Sequence, residues 1–132
     1  MRVASFHQVA DSFSAVSLAV VQDPTLVSLL LRVPLDPENL TREEHGRLRF
    51  FFLTLFRRAE SMFFHSEQGT LQRESWLGIS VTLADALAAS LGQRWWSDNA
   101  HRFNPAFRAY VEAELLGKGD PRAFSLPEAN RP

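Results

Sequence analysis

The chain of 132 residues is 45% hydrophobic, and its 14 basic and 15 acidic side chains give a formal net charge of −1. This length fits one domain with a real core, and the even charge leaves no basic stripe that would indicate a nucleic-acid partner. The chain has no cysteine, which excludes disulfides, thiolate zinc sites and cysteine nucleophiles. No run of residues is apolar enough to predict a transmembrane helix, and the N-terminus lacks the pattern of a secretory signal.

Apolar residues near the N-terminus recur at intervals of three and four, which predicts a core-facing helix over residues 3–22. Asp23 and Pro24 then supply an N-cap and a first helical residue for a short second helix, which ends before Pro34. Residues 34–40 contain two prolines and are predicted to form a loop.

The stretch of residues 48–76 organises the chain, because it combines a long aromatic helix, a stop signal and the tryptophan of the next helix. Thr41 and Glu44 have the spacing of a capping box, in which each side chain bonds the other residue's free backbone N–H. Gly69 is suited to end the helix, since glycine adopts the left-handed conformation without a Cβ penalty. At 100° per residue the apolar side chains gather on one face. This face comprises Phe52, Phe56, Ala59, Met62 and Phe63, with Leu48, Leu53, Leu55 and Phe64 on its flanks.

Glu60 breaks this pattern, because it lies about 40° from Phe56 and therefore inside the apolar face. A carboxylate there must be paired, hydrogen-bonded or protonated, since burying it bare costs several kcal/mol. Arg57, one turn earlier, is the nearest candidate partner. The other candidates are Arg94, Arg102 and Arg108. Glu60 is therefore either part of a structural ion pair or helix cap, or an acid or base in a pocket.

Residues 72–91 form the next predicted helix, which is apolar on two sides. Its core stripe consists of Trp76, Ile79, Leu83, Ala86, Leu87 and Ser90. Its second stripe consists of Leu77, Val81, Ala84 and Ala88. Such a helix is either central in its own domain or covered by a partner, so the second stripe is a candidate homodimer face.

Gly92 is predicted to cap that helix, and a short helical turn follows over residues 93–102. Asn104 and Pro105 open a last helix, which Gly117 ends. The side chains that this helix should turn inward are Phe107, Tyr110, Val111 and Leu115. We expect residues 1–116 to form one helical domain. Residues 117–132 should form a loosely ordered tail that Phe124 and Leu126 can dock onto the body.

Arg94, Trp95 and Trp96 belong to the densest cluster of aromatic and basic residues. One interpretation is a tryptophan clamp at the end of the fold, with one indole inward and the other half-exposed. The other is a site that stacks a planar ligand or binds an anion. The four histidines are scattered and no nucleophile motif is present, so we predict no metal site, no cofactor and no catalytic residue.

Several of these motifs together resemble an uncharacterised bacterial family of small helical proteins. They are FRRAE at 56–60, the pair Phe63-Phe64, Gly69, Trp76, GQRWW at 92–96 and FNPAFRAYV at 103–111. The resemblance covers about residues 3–116 and implies a helical fold, but it implies no activity. Some members of the family carry a membrane segment before the first helix. This sequence departs from them by lacking such a segment, so we expect a soluble cytoplasmic member, or a form that starts after the anchor and is membrane-associated.

The sequence therefore predicts an all-α antiparallel bundle of about five or six helices, three of them long. The leading functional interpretation is a non-catalytic interaction or scaffold domain, with a homodimer or another protein as partner. In this interpretation the dimer face consists of Leu77, Val81, Ala84 and Ala88. The alternative is a small-molecule or anion-binding domain. Its pocket would lie near Arg57, Glu60 and the segment Arg94-Trp95-Trp96.

Overall fold

A computed structural model of the chain describes residues 22–32 and 38–123. Its α-helices are α1 (Pro24–Arg32), α2 (Arg42–Glu67), α3 (Arg73–Ala88), α4 (Ser90–Asn99) and α5 (Pro105–Tyr110). A 3-10 turn (Ala100–Arg102) precedes α5 and a π-helical turn (Val111–Leu115) follows it. These two stretches contain no strand, so the all-α class is confirmed, while the antiparallel arrangement stays a prediction. The predicted helix over residues 3–22 lies outside the described residues except for Gln22, as do residues 34–37 of the loop and the docking residues Phe124 and Leu126.

The signals predicted for the ends of α1 and α2 are confirmed. Asp23 Oδ1 accepts hydrogen bonds from the backbone N–H groups of Thr25 and Leu26, both at 3.1 Å, and so caps α1. The capping box of α2 is complete, because Glu44 N donates to Thr41 Oγ1 at 3.1 Å and Thr41 N donates to Glu44 Oε1 at 2.9 Å. After α2, Gly69 has a φ of 78°, the left-handed conformation expected of a residue that ends a helix.

The predicted apolar face of α2 is also confirmed as the face toward the core. The buried residues of this helix are Leu48, Phe52, Leu55, Phe56, Ala59, Met62 and Phe63. Phe56 is completely buried, and its ring lies 5.2 Å from that of Trp95 and 5.6 Å from that of Trp96. Phe103 and Phe107 continue the cluster, so α2 and the C-terminal half of the chain share one aromatic core.

The prediction of a single helix over residues 72–91 is wrong, because α3 and α4 are two separate helices. The chain is extended at Ala89 (φ −70°, ψ 143°) and bends by 99° between α3 and the continuous stretch from Ser90 to Arg102. Ser90, predicted in the core stripe, is exposed at the start of α4. Gln93 Nε2 donates to the carbonyl oxygen of Ala88 at 3.1 Å and satisfies one of the carbonyls left free at the end of α3.

The predicted role of Gly92 as a helix cap is wrong as well, because Gly92 is buried inside α4. A Cβ built on it would lie 3.0 Å from the carbonyl carbon of Ala86 and closer still to the oxygen. Glycine is needed at this position for the close approach of two backbones. The tight bend carries Trp95 and Trp96 back onto α2, and both indoles are buried, at 6% and 3% exposure. The predicted half-exposed indole is therefore also wrong.

The last helix begins and ends as predicted, but its second half is wound differently. Asn104 Oδ1 accepts from the backbone N–H of Ala106 at 2.9 Å and caps α5, in which Pro105 is the first residue. The turn that follows is π-helical, with Leu116 N donating to the carbonyl of Val111 at 2.9 Å. Gly117 ends it with a φ of 77°.

Residues 117–123 form a succession of turns, in which Gly119 and Asp120 contact α3. A Cβ built on Gly119 would collide with the carbonyl group of Ala84, and the backbone N–H of Asp120 donates to Asp85 Oδ1 at 2.8 Å. These contacts cover the side of α3 on which Ala84 lies, and Ala84 is buried.

Candidate functional site

Glu60 forms a side-chain pair with Arg57, the partner that the sequence placed nearest. Arg57 Nη1 donates to Glu60 Oε1 at 3.2 Å across one turn of α2. The Glu60 side chain is 16% exposed and the Arg57 side chain 48% exposed. The ion pair is thus at the edge of the core, with the carboxylate inside and the guanidinium half in solvent.

Both members of this pair also bind the segment that leads into α5. Glu60 Oε2 accepts from the backbone N–H of Asn104 at 2.8 Å. Arg57 Nη2 donates to the carbonyl oxygen of Arg102 at 3.2 Å, and its guanidinium lies 4.7 Å from the centre of the Phe103 ring. Since a carboxylate is a strong acceptor for backbone N–H groups, Glu60 serves at once as ion-pair partner and as a cap from another helix.

The other candidate ligand-binding residues do not converge on this pair. Arg94 Nη2 donates to Glu38 Oε1 at 3.1 Å in an exposed ion pair. Trp95 and Trp96 are buried in the aromatic core, where the Trp96 ring stacks on Phe103 at 5.5 Å. The structure therefore brings Arg57 and Glu60 together, and it directs Arg94 and the two tryptophans to separate contacts.

A cleft of about 540 Å³ lies on another side of Trp96, between α4 and the π-helical turn. It is lined by Gln93, Trp96, Ser97, Ala100, Glu112, Leu116 and Gly117. The sequence singled out Trp96 as a candidate ligand-binding residue but gave no indication of the rest of this set. No local motif could have revealed it, because the cleft depends on the bend at Ala89 and on the π-helical turn.

The indole N–H of Trp96 has no hydrogen-bond partner in the part of the chain that the structure describes, although the residue is only 3% exposed. A buried donor without an acceptor costs about 1–3 kcal/mol. Trp76, by comparison, donates its indole N–H to the hydroxyl of Tyr110 at 3.2 Å. Among the tryptophan residues that the structure describes, Trp96 is thus the one with a buried indole N–H that lacks an acceptor.

The candidate dimer face on α3 is exposed at its N-terminal half. Leu77 is 42% exposed and Val81, one turn later, is 61% exposed. Ala88 is half-buried, and Ala84 is buried beneath residues 117–123. The exposed apolar part of this face, which we call the α3 patch, consists of Leu77 and Val81.

Neither a metal cluster nor a single membrane-spanning helix is found within residues 22–32 and 38–123. No group of three or more His, Asp or Glu side chains in these ranges could hold a metal ion. No single helix in them is long and apolar enough to cross a membrane. The helix pair Arg73–Ala88 and Ser90–Arg102 does have the length and composition of a membrane span when taken together, despite its bend of 99°.

Comparison of the chain with protein-family models, curated proteins and solved structures found no match in any of the three.

Proposed function

We propose that the protein is a non-catalytic interaction domain that pairs with a second copy of itself through the α3 patch. The observation that carries this proposal is the exposure of Leu77 and Val81, which lie four residues apart on a helix whose other side is core. Residues at this spacing lie on the same face of a helix, one above the other. Their burial against a partner would remove apolar surface from water.

A second copy is the favoured occupant because the patch can be complementary to itself. In a twofold pairing the same surface is used on both subunits, so Leu77 of one copy would contact Val81 of the other.

Native mass spectrometry of the purified chain tests this proposal, with Val81→Glu as the perturbation. The wild-type protein should be a dimer and the variant a monomer, because a carboxylate at the centre of the interface would be buried without a partner. Circular dichroism should give the same helix content for both, since Val81 is 61% exposed in the single chain.

Thr82→Glu is the matched control, because Thr82 is also exposed on α3 but lies next to the patch residues in sequence and about 100° around the helix from Val81. It should remain dimeric. A monomeric wild-type protein, or a dimer that both variants leave intact, would contradict the proposed pairing.

We keep three further predictions as proposals. The motif resemblance supports membership of the uncharacterised bacterial family. The cytoplasmic location, with membrane association if a longer form carries an anchor, rests on the sequence alone. A ligand site at Arg57 and Glu60 has less support, because Arg57 and both carboxylate oxygens of Glu60 are engaged within the chain.

A further inference from the structure

The cleft between α4 and the π-helical turn has an apolar floor and a polar rim. Its floor includes Ala100 and Leu116, which are half-buried, and its rim consists of Gln93, Ser97 and Glu112, which are exposed. Gln93, Ser97 and Ala100 follow one another at intervals of four and three residues, so they share one face of α4 and the 3-10 turn. Glu112 and Leu116 come from the opposite wall. A molecule in the cleft therefore contacts apolar surface and polar side chains together.

The rim offers hydrogen-bond acceptors and a negative charge. Gln93 Nε2 donates to the carbonyl oxygen of Ala88 at 3.1 Å, which leaves the amide oxygen of Gln93 as an acceptor. The side chains of Ser97 and Glu112 make no hydrogen bond or ion pair with residues 22–32 or 38–123. Arg108 lies four residues before Glu112 but forms no salt bridge with it. Neither Lys nor Arg is among the described residues that line the cleft, so the charge of Glu112 is not balanced there.

Three acceptors without a neighbouring cation fit a positively charged group that carries several N–H donors. A primary ammonium group has three such donors and no acceptor. Its hydrogen bonds to a carboxylate are stronger than those between two neutral groups. The unbalanced charge of Glu112 would attract this group and would repel an anion.

The floor and the size of the cleft require an apolar body next to the charged group. The cleft volume of about 540 Å³ lies within the range of small-molecule sites. Ala100 and Leu116 present carbon surface, and covering it with an apolar group removes that surface from water. Glu112 lies on the π-helical turn, a distortion that is found frequently at functional sites.

From these groups we propose that the cleft binds a primary amine, in its protonated form, attached to a small apolar or aromatic body. The ammonium group donates to the carboxylate of Glu112, to the amide oxygen of Gln93 and to the hydroxyl oxygen of Ser97. The apolar body lies against Ala100 and Leu116. This site is separate from the α3 patch, and it does not depend on the proposed dimer.

Benzylamine is the probe, titrated at neutral pH into the full chain labelled with ¹⁵N while the backbone amide signals are followed by NMR. The signals of Ser97, Glu112 and Leu116 should move in a saturable way, and those of Leu77 and Val81 should stay in place. Benzyl alcohol keeps the aromatic body but is uncharged, and it should bind about twofold to fivefold more weakly, the range expected for the loss of an exposed ion pair. Methylamine keeps the charge but lacks the apolar body, and it should bind at least about fivefold more weakly than benzylamine.

Glu112→Gln is the test variant and Glu114→Gln is its matched control, since Glu114 is exposed on the same turn but does not line the cleft. Because both glutamates are exposed, both variants should keep the fold, which circular dichroism checks. Glu112→Gln should lower the affinity for benzylamine to that for benzyl alcohol and leave the binding of benzyl alcohol unchanged. Glu114→Gln should bind both probes as wild type does.

The proposal is overturned by signals of the cleft residues that do not move, by equal affinities for benzylamine and benzyl alcohol, or by equal losses of affinity in the two variants. Titration of Val81→Glu separates this proposal from the proposed dimer, because the variant should bind benzylamine as wild type does even if it is monomeric.

Discussion

Gly92→Ala tests the tight bend between α3 and α4 with the smallest possible change. The added Cβ would lie 3.0 Å from the carbonyl carbon of Ala86, closer still to its oxygen, and 3.4 Å from the Cα of Leu87. All three are backbone atoms, so no change of side-chain rotamer can relieve the clash. The first turn of α4 would have to move away from α3, and Trp95 and Trp96 would move with it.

The expected change in the free energy of unfolding follows from a comparison with Gly78, a second glycine inside a helix. Gly78→Ala places its methyl group in open space and should stabilise the protein by about 1 kcal/mol, the difference in helix propensity between the two residues. Gly92→Ala has the same gain but also an overpacking penalty of about 1–3 kcal/mol or more. The gain is common to both variants and cancels, so they should differ by about 1–3 kcal/mol or more in their free energy of unfolding.

Equilibrium unfolding in urea, followed by circular dichroism, measures this difference. With a slope of about 2 kcal/mol per molar urea, the midpoint of Gly92→Ala should lie about 0.5–1.5 M below that of Gly78→Ala. Tryptophan fluorescence of the folded variants reports whether the two indoles of α4 have moved. Equal midpoints for the two variants would refute the close approach, and with it the need for glycine at position 92.

Variants at three further positions test other contacts. Glu60→Ala should lower the free energy of unfolding by about 1–2 kcal/mol, because it removes the partner of a backbone N–H and of a half-exposed arginine. Glu60→Gln should cost less because it keeps an acceptor for Asn104, and equal losses for both would contradict that role. Thr41→Ala should cost about 1 kcal/mol through loss of the cap, and Thr41→Ser should restore most of it. Gly119→Ala should speed hydrogen exchange of the Asp120 amide by displacing it from α3, and unchanged exchange would refute the close contact there.

The sequence alone predicted the features that local chemistry decides. Asp23, Thr41 with Glu44, and Asn104 each bond backbone groups within a few residues, so their roles follow from spacing. The left-handed glycines at positions 69 and 117 are explained in the same way. The apolar face of α2 followed from a period that is repeated over 26 residues.

Features that depend on distant parts of the chain were not predicted. The helix α3 ends at Ala88 although neither glycine nor proline follows directly. Its end depends on how α4 packs on α2, which a local pattern does not show. A helix cap and a close approach of two backbones both require glycine, so the sequence could not show that Gly92 serves the second role. Glu60 was correctly singled out, but its second partner, the N–H of Asn104, lies 44 residues later. The cleft beside Trp96 could not be predicted, because residues from two distant segments form it.

The contact between Glu60 and Asn104 also has a consequence during synthesis on the ribosome. The chain emerges with its N-terminal part first, and α2 must wait for 44 further residues before the segment that covers its aromatic face is available. At about 5–20 residues per second this interval is roughly 2–9 s. Until Trp95, Trp96 and Phe107 have emerged, Phe52, Phe56 and Phe63 lack these rings to pack against. The nascent chain therefore presents a hydrophobic helix of the kind that chaperones bind, and ribosome-bound chains that stop before α4 should recruit them more strongly than chains that extend past Leu115.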